Sequence, residues 1–82
     1  MTILGYNFYM NTQIDYKSIF KNNLKTLREE KRLSQKDVAL KLGVPVSTYA
    51  NWEQGRREPS IEDLFNIIAV FEIDANELFS IQ

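Results

Sequence analysis

Along most of this chain apolar side chains recur at steps of three and four, the spacing that gathers them on one side of an α-helix. Tyr16, Ile19, Phe20, Leu24 and Leu27 form the first such stripe. They predict a core-facing helix from about Tyr16 to Lys31, with the Asp15 carboxylate as the acceptor for its free first-turn N–H groups. Val38 and Leu42, four apart, mark a shorter second helix opening behind Ser34, and Tyr49 and Trp52 mark a third. Ile61, Leu64, Phe65, Ile68 and Phe71 supply the buried stripe of a fourth, capped by Ser60 with Asp63 three residues on. Asp74 and Glu77 repeat that device ahead of a short fifth helix containing Leu78 and Phe79. No internal repeat or low-complexity run interrupts the series, so the expected class is all-α with five helices.

The join between the second and third helices is the most specific feature. Gly43 follows the last periodic residue of the second helix, and glycine enters the left-handed backbone region without steric cost, so it stops the helix and turns the chain. Val44 plugs the corner, and Pro45, with fixed φ and no N–H, suits the first turn of the next helix. Ala39 is small enough for two steeply crossing helices to approach closely. With Tyr49 and Trp52 turned back toward Val38 and Leu42, the opposite side of the third helix carries Val46, Ser47, Ala50, Asn51 and Gln54. That side is the candidate reading surface for DNA.

The run Leu33-Ser34-Gln35, then Ala39, Leu42-Gly43-Val44, Tyr49 through Gly55, and Pro59-Ser60 resembles the Cro and phage-repressor (XRE-type) helix-turn-helix family of bacterial and phage regulators over residues 24 to 79. The resemblance implies a compact five-helix, lambda-repressor-like DNA-binding domain at residues 15–82, preceded by an N-terminal extension at residues 1–14. It also implies that Gln35, in the first turn of the second helix, bonds a DNA phosphate, and that Arg28 pairs internally with Glu53 in a structural role. Trp52 is expected in the core. Arg32 stands where many members of that family carry glycine.

Ser47 and Asn51 lie four apart on the exposed side and are the base-reading candidates. Asparagine can bond adenine N6 and N7 together, and serine can meet several base edges or a phosphate. Val46 and Ala50 share the face and suit a thymine methyl, so few bases would be read directly and DNA shape would carry the rest. Thr48, Gln54, Arg56, Arg57 and Lys36 are expected to hold the sugar-phosphate backbone. One such helix covers too few bases to select a site. Two, about 34 Å apart on one face of a duplex, would read a roughly palindromic operator, which makes the expected species a homodimer. Its contact is expected at the fifth helix with Phe79 and Ile81, with the aromatic N-terminal arm as a further contributor.

Net charge alone would mislead, because the total is −1 with a pI near 5.3. Residues 17–57 hold all ten Lys and Arg against four acids, a net of +6, whereas residues 58–82 hold six acids and no base. Phosphate binding depends on the local excess, so a basic half can bind DNA while an acidic half faces away. The chain has neither cysteine nor histidine, which excludes disulfides, thiolate nucleophiles, imidazole bases and the common zinc-ligand sets. Neither a nucleophile paired with a base nor a phosphate-cradling glycine loop is visible; an enzyme, a cofactor and a small-molecule ligand are not expected. Apolar runs fall short of the ~20 residues of a membrane span and the start lacks a secretory signal, so a cytoplasmic protein without a separate sensor domain is expected.

Residues 1–14 stand apart. Ile3, Leu4, Tyr6, Phe8, Tyr9 and Met10 favour a strand or arm pairing with a second copy; the other reading is a loosely packed extension, and Met10 offers a second start for translation. The alternative function class is an antitoxin or antirepressor-like module whose acidic last third and aromatic arm hold another protein.

Overall fold

A computed structural model describes residues 14–81; what was expected of the N-terminal arm, Ile14 apart, lies outside the described residues. Among the described residues the chain forms five helices and no strand: α1 Tyr16–Glu30, α2 Gln35–Leu42, α3 Val46–Gln54, α4 Ile61–Phe71 and α5 Ala75–Phe79. α1 packs against α3 and α5, and α2 against α3 and α4.

Helix ends follow the local chemistry. The Asp15 carboxylate accepts from the Ser18 N–H at 3.2 Å. Ser34 and Asp37, Ser60 and Asp63, and Asp74 and Glu77 each form a reciprocal box: the cap side chain accepts from the third residue's N–H, and that residue's carboxylate accepts from the cap's own N–H. α1 stops at Glu30, one residue short of the expected end, because Lys31 is its C-cap and bonds back to Leu27 and Arg28 carbonyls. Pro45 is the N-cap of α3 at ψ 146°, not a residue of its first turn, so the extended corner takes one residue more than expected. Gly43 (φ 73°) and Gly55 (φ 76°) both turn the chain in the left-handed region.

Among the described residues, nine apolar residues form the core: Leu24 and Leu27 of α1, Val38 and Ala39 of α2, Tyr49 and Trp52 of α3, Ile67 and Phe71 of α4, and Leu78 of α5. Trp52 is 3% exposed, in keeping with its expected place. The α4 stripe is a correction. Ile67 and Phe71 are its buried residues and Leu64 and Ile68 are half-buried, but Ile61 and Phe65 are 73% and 68% exposed. α4 carries apolar side chains all round, so periodicity could not select a face; Ile67, about 240° around the helix from Ile61, lies on the side that is buried in the core. Tyr16, also expected on a core-facing stripe, is 66% exposed at the first turn of α1. Asn23, a polar residue buried at 3%, uses its Nδ2 to donate to the carbonyls of Leu78 (2.9 Å) and Ser80 (2.8 Å), clasping the end of α5 to α1.

The pair expected between Arg28 and Glu53 is present and bidentate: Nε donates to Oε2 at 2.7 Å and Nη2 to Oε1 at 3.1 Å, with side chains 12% and 3% exposed. Arg28 Nη1 also donates to the Leu33 carbonyl at 2.8 Å, so one guanidinium holds α3 and the turn after α1. Burial would raise the Glu53 carboxyl, but hydrogen bonding from Arg28 above all, together with the nearby Tyr49 hydroxyl and the Gln35 amide, outweighs burial and holds it below its ordinary value of 4.5. The Tyr49 hydroxyl lies buried close to this carboxylate without regular hydrogen-bond geometry, and its phenol is pushed far above the usual range by burial first and by Glu53 second.

Arg32 is left-handed at φ 58°, which explains the glycine preference at that place in the resembling family. Relief of that strain exceeds the added freedom of an unfolded glycine, so Arg32→Gly should raise stability by about 0.5–1 kcal/mol in urea unfolding. Glu53→Ala leaves Arg28 without its partner and should cost about 3–5 kcal/mol at neutral pH. Because the folded-state value of Glu53 is depressed, its contribution is complete above 4.5 and is lost as acid carries the pH down through the folded value. Urea midpoints taken from pH 6 downward should therefore fall less steeply in Glu53→Gln than in the natural chain.

Candidate nucleic-acid interface

α3 divides its residues sharply. Tyr49, Trp52 and Glu53 are buried and fix the helix from behind, Tyr49 and Trp52 meeting edge to face at 5.9 Å. Val46 (47% exposed) and Ser47 lie open to solvent, and Thr48, Ala50 and Asn51 are partly open. Ser47 and Asn51 thus share a side of α3 one turn apart, as their spacing required. Gln54 is exposed at the helix end, and Arg56 and Arg57 are exposed in the turn that follows. The N–H groups of these arginines converge on the Asn51 carbonyl, at 2.9 Å for Arg56 and 3.4 Å for Arg57, so the turn is fastened to the helix it follows.

Lys36 is exposed on α2, and Gln35 is half-buried beside it. Gln35 Nε2 donates to Glu53 Oε1 at 3.0 Å, a bond that the sequence did not announce. The same carboxylate therefore anchors α1 through Arg28 and α2 through Gln35 while belonging to α3. One amide N–H and the carbonyl of the Gln35 side chain are left for an outside partner.

A cation that the sequence reading passed over joins this neighbourhood. The stem of Lys21 lies across Gly55, its Cδ 3.1 Å from where a Cβ would stand and its Nζ 3.7 Å away. This brings an ammonium to the turn carrying Arg56 and Arg57. The signal was the four-residue repeat Lys17, Lys21, Lys25 along α1, which sets the three on one side of that helix. Lys17 itself pairs with Glu58 at 3.0 Å, both side chains about 60% exposed, and such a pair adds little stability.

Among the described residues, no cluster of three or more Asp or Glu is placed to hold a metal ion, and no helix is long and apolar enough to cross a membrane. The exposed, mixed polar and apolar face of α3, flanked by cations, is suited to the edges of bases between two phosphate rails.

Comparison with known proteins agrees with this architecture. Residues 24–78 match the helix-turn-helix family profile. The chain is 37% identical over 60 residues to the uncharacterised HTH-type transcriptional regulator YqaE of Bacillus subtilis, matching 73% of this chain and 52% of that protein. It is 40% identical over 67 residues to the control protein C.MunI of a Mycoplasma species, 80% of this chain and 90% of that one. The crystal structure of the restriction-modification controller protein C.AhdI from Aeromonas hydrophila superposes with a TM-score of 0.73 at 30% identity, covering 77% of this chain and 96% of the other. The chain thus spans about half the length of the first relative and nearly the whole of the other two. Profile, relatives and five-helix fold coincide on the same residues: the chain belongs to the helix-turn-helix family of DNA-binding transcriptional regulators.

Proposed function

We propose that this protein binds a roughly palindromic operator as a homodimer, inserts α3 of each copy into the major groove, and represses transcription by occupying that DNA. The observation that carries the reading is the divided α3, with its buried residues holding Ser47 and Asn51 on an accessible side. Ser47 and Asn51 read base edges, Val46 contacts a thymine methyl, and Gln35, Lys36, Thr48, Gln54, Arg56 and Arg57 hold the backbone, with Lys21 added to them. Preorganisation supports the assignment of Gln35, since a side chain already tethered to Glu53 has less rotamer freedom to lose when it meets a phosphate.

The homodimer is supported by apolar surface that the single chain leaves uncovered. Ile61 and Phe65 of α4 and Ile81 beyond α5 are each more than two-thirds exposed. Scattered apolar residues are ordinary on a surface, but Ile61 and Phe65 are adjacent on one helix face and belong to the segment richest in acids, away in sequence from the proposed DNA contacts. Repression needs nothing beyond occupancy, whereas activation would need a further surface for the transcription machinery.

Selection of bound duplexes from a random pool is the direct test: two inverted half-sites about one helical turn apart are expected. A pool with no enriched sequence would remove the regulator reading for this chain, and sedimentation showing one chain per enriched duplex would remove the dimer. On the selected site, Asn51→Ala should lose about 1–3 kcal/mol while binding to unrelated DNA stays within error. Arg56→Ala should weaken both alike and lower the slope of log affinity against log salt by about one.

A further inference from the structure

We propose that the aromatic segment Tyr6 to Met10 docks in an apolar groove of its own chain, formed where the start of α1 meets α5 and the turn between α3 and α4. The groove is walled by Tyr16, Phe20, Trp52, Pro59, Leu64 and Phe79. Phe20 and Phe79 stack within it at 6.0 Å, yet Phe79 is 48% exposed and Tyr16 66%. The exposed Lys17–Glu58 ion pair, 3.0 Å long, lies at its rim. An apolar depression of this kind in a small domain is uncovered surface that an aromatic side chain would fill.

Three features select the chain's own N-terminal segment as the occupant. Residues 1–13 contain no charged side chain, while Ile3, Leu4, Tyr6, Phe8, Tyr9 and Met10 are bulky and apolar; the segment has nothing with which to neutralise phosphate and much to bury. It joins the described structure at Ile14, two residues before Tyr16, which is itself a wall of the groove. Tyr6 to Met10 stand four to eight residues ahead of Ile14, an extended reach of about 14–28 Å, enough to fold back over the first turns of α1. A tether this short gives the segment an effective concentration in the millimolar range at its own groove, far above that of a second copy at micromolar protein. The groove needs neither DNA nor a second chain to be filled.

Nuclear Overhauser spectra of the full, uniformly labelled chain without DNA test the assignment. Cross-peaks are expected between ring protons of Tyr6, Phe8 or Tyr9 and the Leu64 methyl groups. They should be missing when labelled and unlabelled chains are mixed and only contacts between copies are selected. In Tyr6→Ser/Phe8→Ser/Tyr9→Ser the Trp52 indole and Leu64 methyl resonances should shift while those of Val38 and Ala39 stay in place. Absence of the cross-peaks, their presence between copies in the mixed sample, or unmoved Trp52 and Leu64 resonances in the triple variant would each overturn the proposal. None of these outcomes bears on whether α3 reads DNA.

Discussion

The Glu53 carboxylate organises this small domain. Buried apolar residues supply its cohesion, but hydrophobic contact is non-directional and tolerates sliding of one helix on another. A bidentate guanidinium does not tolerate it. Arg28 grips Glu53 through two bonds and the Leu33 carbonyl through a third, and Gln35 reaches the same carboxylate from α2. Three helices and the turn between two of them are thereby tied to one charge that is only 3% exposed. Replacing such a pair by apolar residues of like volume need not destabilise a fold, so its presence is better understood as fixing orientation than as adding free energy. Orientation is what the proposed insertion of α3 into a groove requires.

Stiffness at the turns completes what the ion pair begins. Gly43 brings α2 to an end with its own N–H on the Leu40 carbonyl and the Val44 N–H on Ala39, and Val44 fills the corner between α2 and α3. Nothing lies within 4 Å of a Cβ placed on Gly43, so backbone conformation alone demands glycine there. Gly55 carries two constraints, a left-handed φ of 76° and the Lys21 stem across its face. The two glycines bracket α3, one setting its entry and the other the turn that presents Arg56 and Arg57.

Much of this was legible from residue order because short-range chemistry governs it. Ser34, Ser60 and Asp74 cap helices through contacts three residues long, and Gly43 and Gly55 announce turns by composition. The Arg28–Glu53 pair, 25 residues apart, was reached only through resemblance to a family, since no spacing rule links them. Where several faces of a helix were apolar, pattern had no means of choosing, and Ile67 was missed while Ile61 and Phe65 were assigned to the core. Asn23 escaped because a buried polar residue is recognisable only by its acceptors, here the last carbonyls of α5. Gln35 was assigned to a phosphate with no sign that Glu53 would stand within 3.0 Å of it, and Lys21 was not singled out because its neighbour Gly55 lies 34 positions along the chain.

The division of α3 also bears on how such a protein can change what it recognises. Its buried positions, Tyr49, Trp52 and Glu53, carry the core and the ion pair, where truncation typically costs several kcal/mol. Its open positions, Val46, Ser47 and Gln54, have no side-chain bond to the rest of the molecule among the described residues, and substitutions at such sites usually stay within about 0.5 kcal/mol. Asn51 is bound to the fold through its backbone, since its carbonyl receives the Arg56 and Arg57 N–H groups whatever its side chain. On the proposed function, stability and recognition therefore rest on separate residues of one nine-residue helix. Gln35 is the exception: its amide belongs at once to the internal network and to the surface, so a substitution there would alter scaffold and contact together.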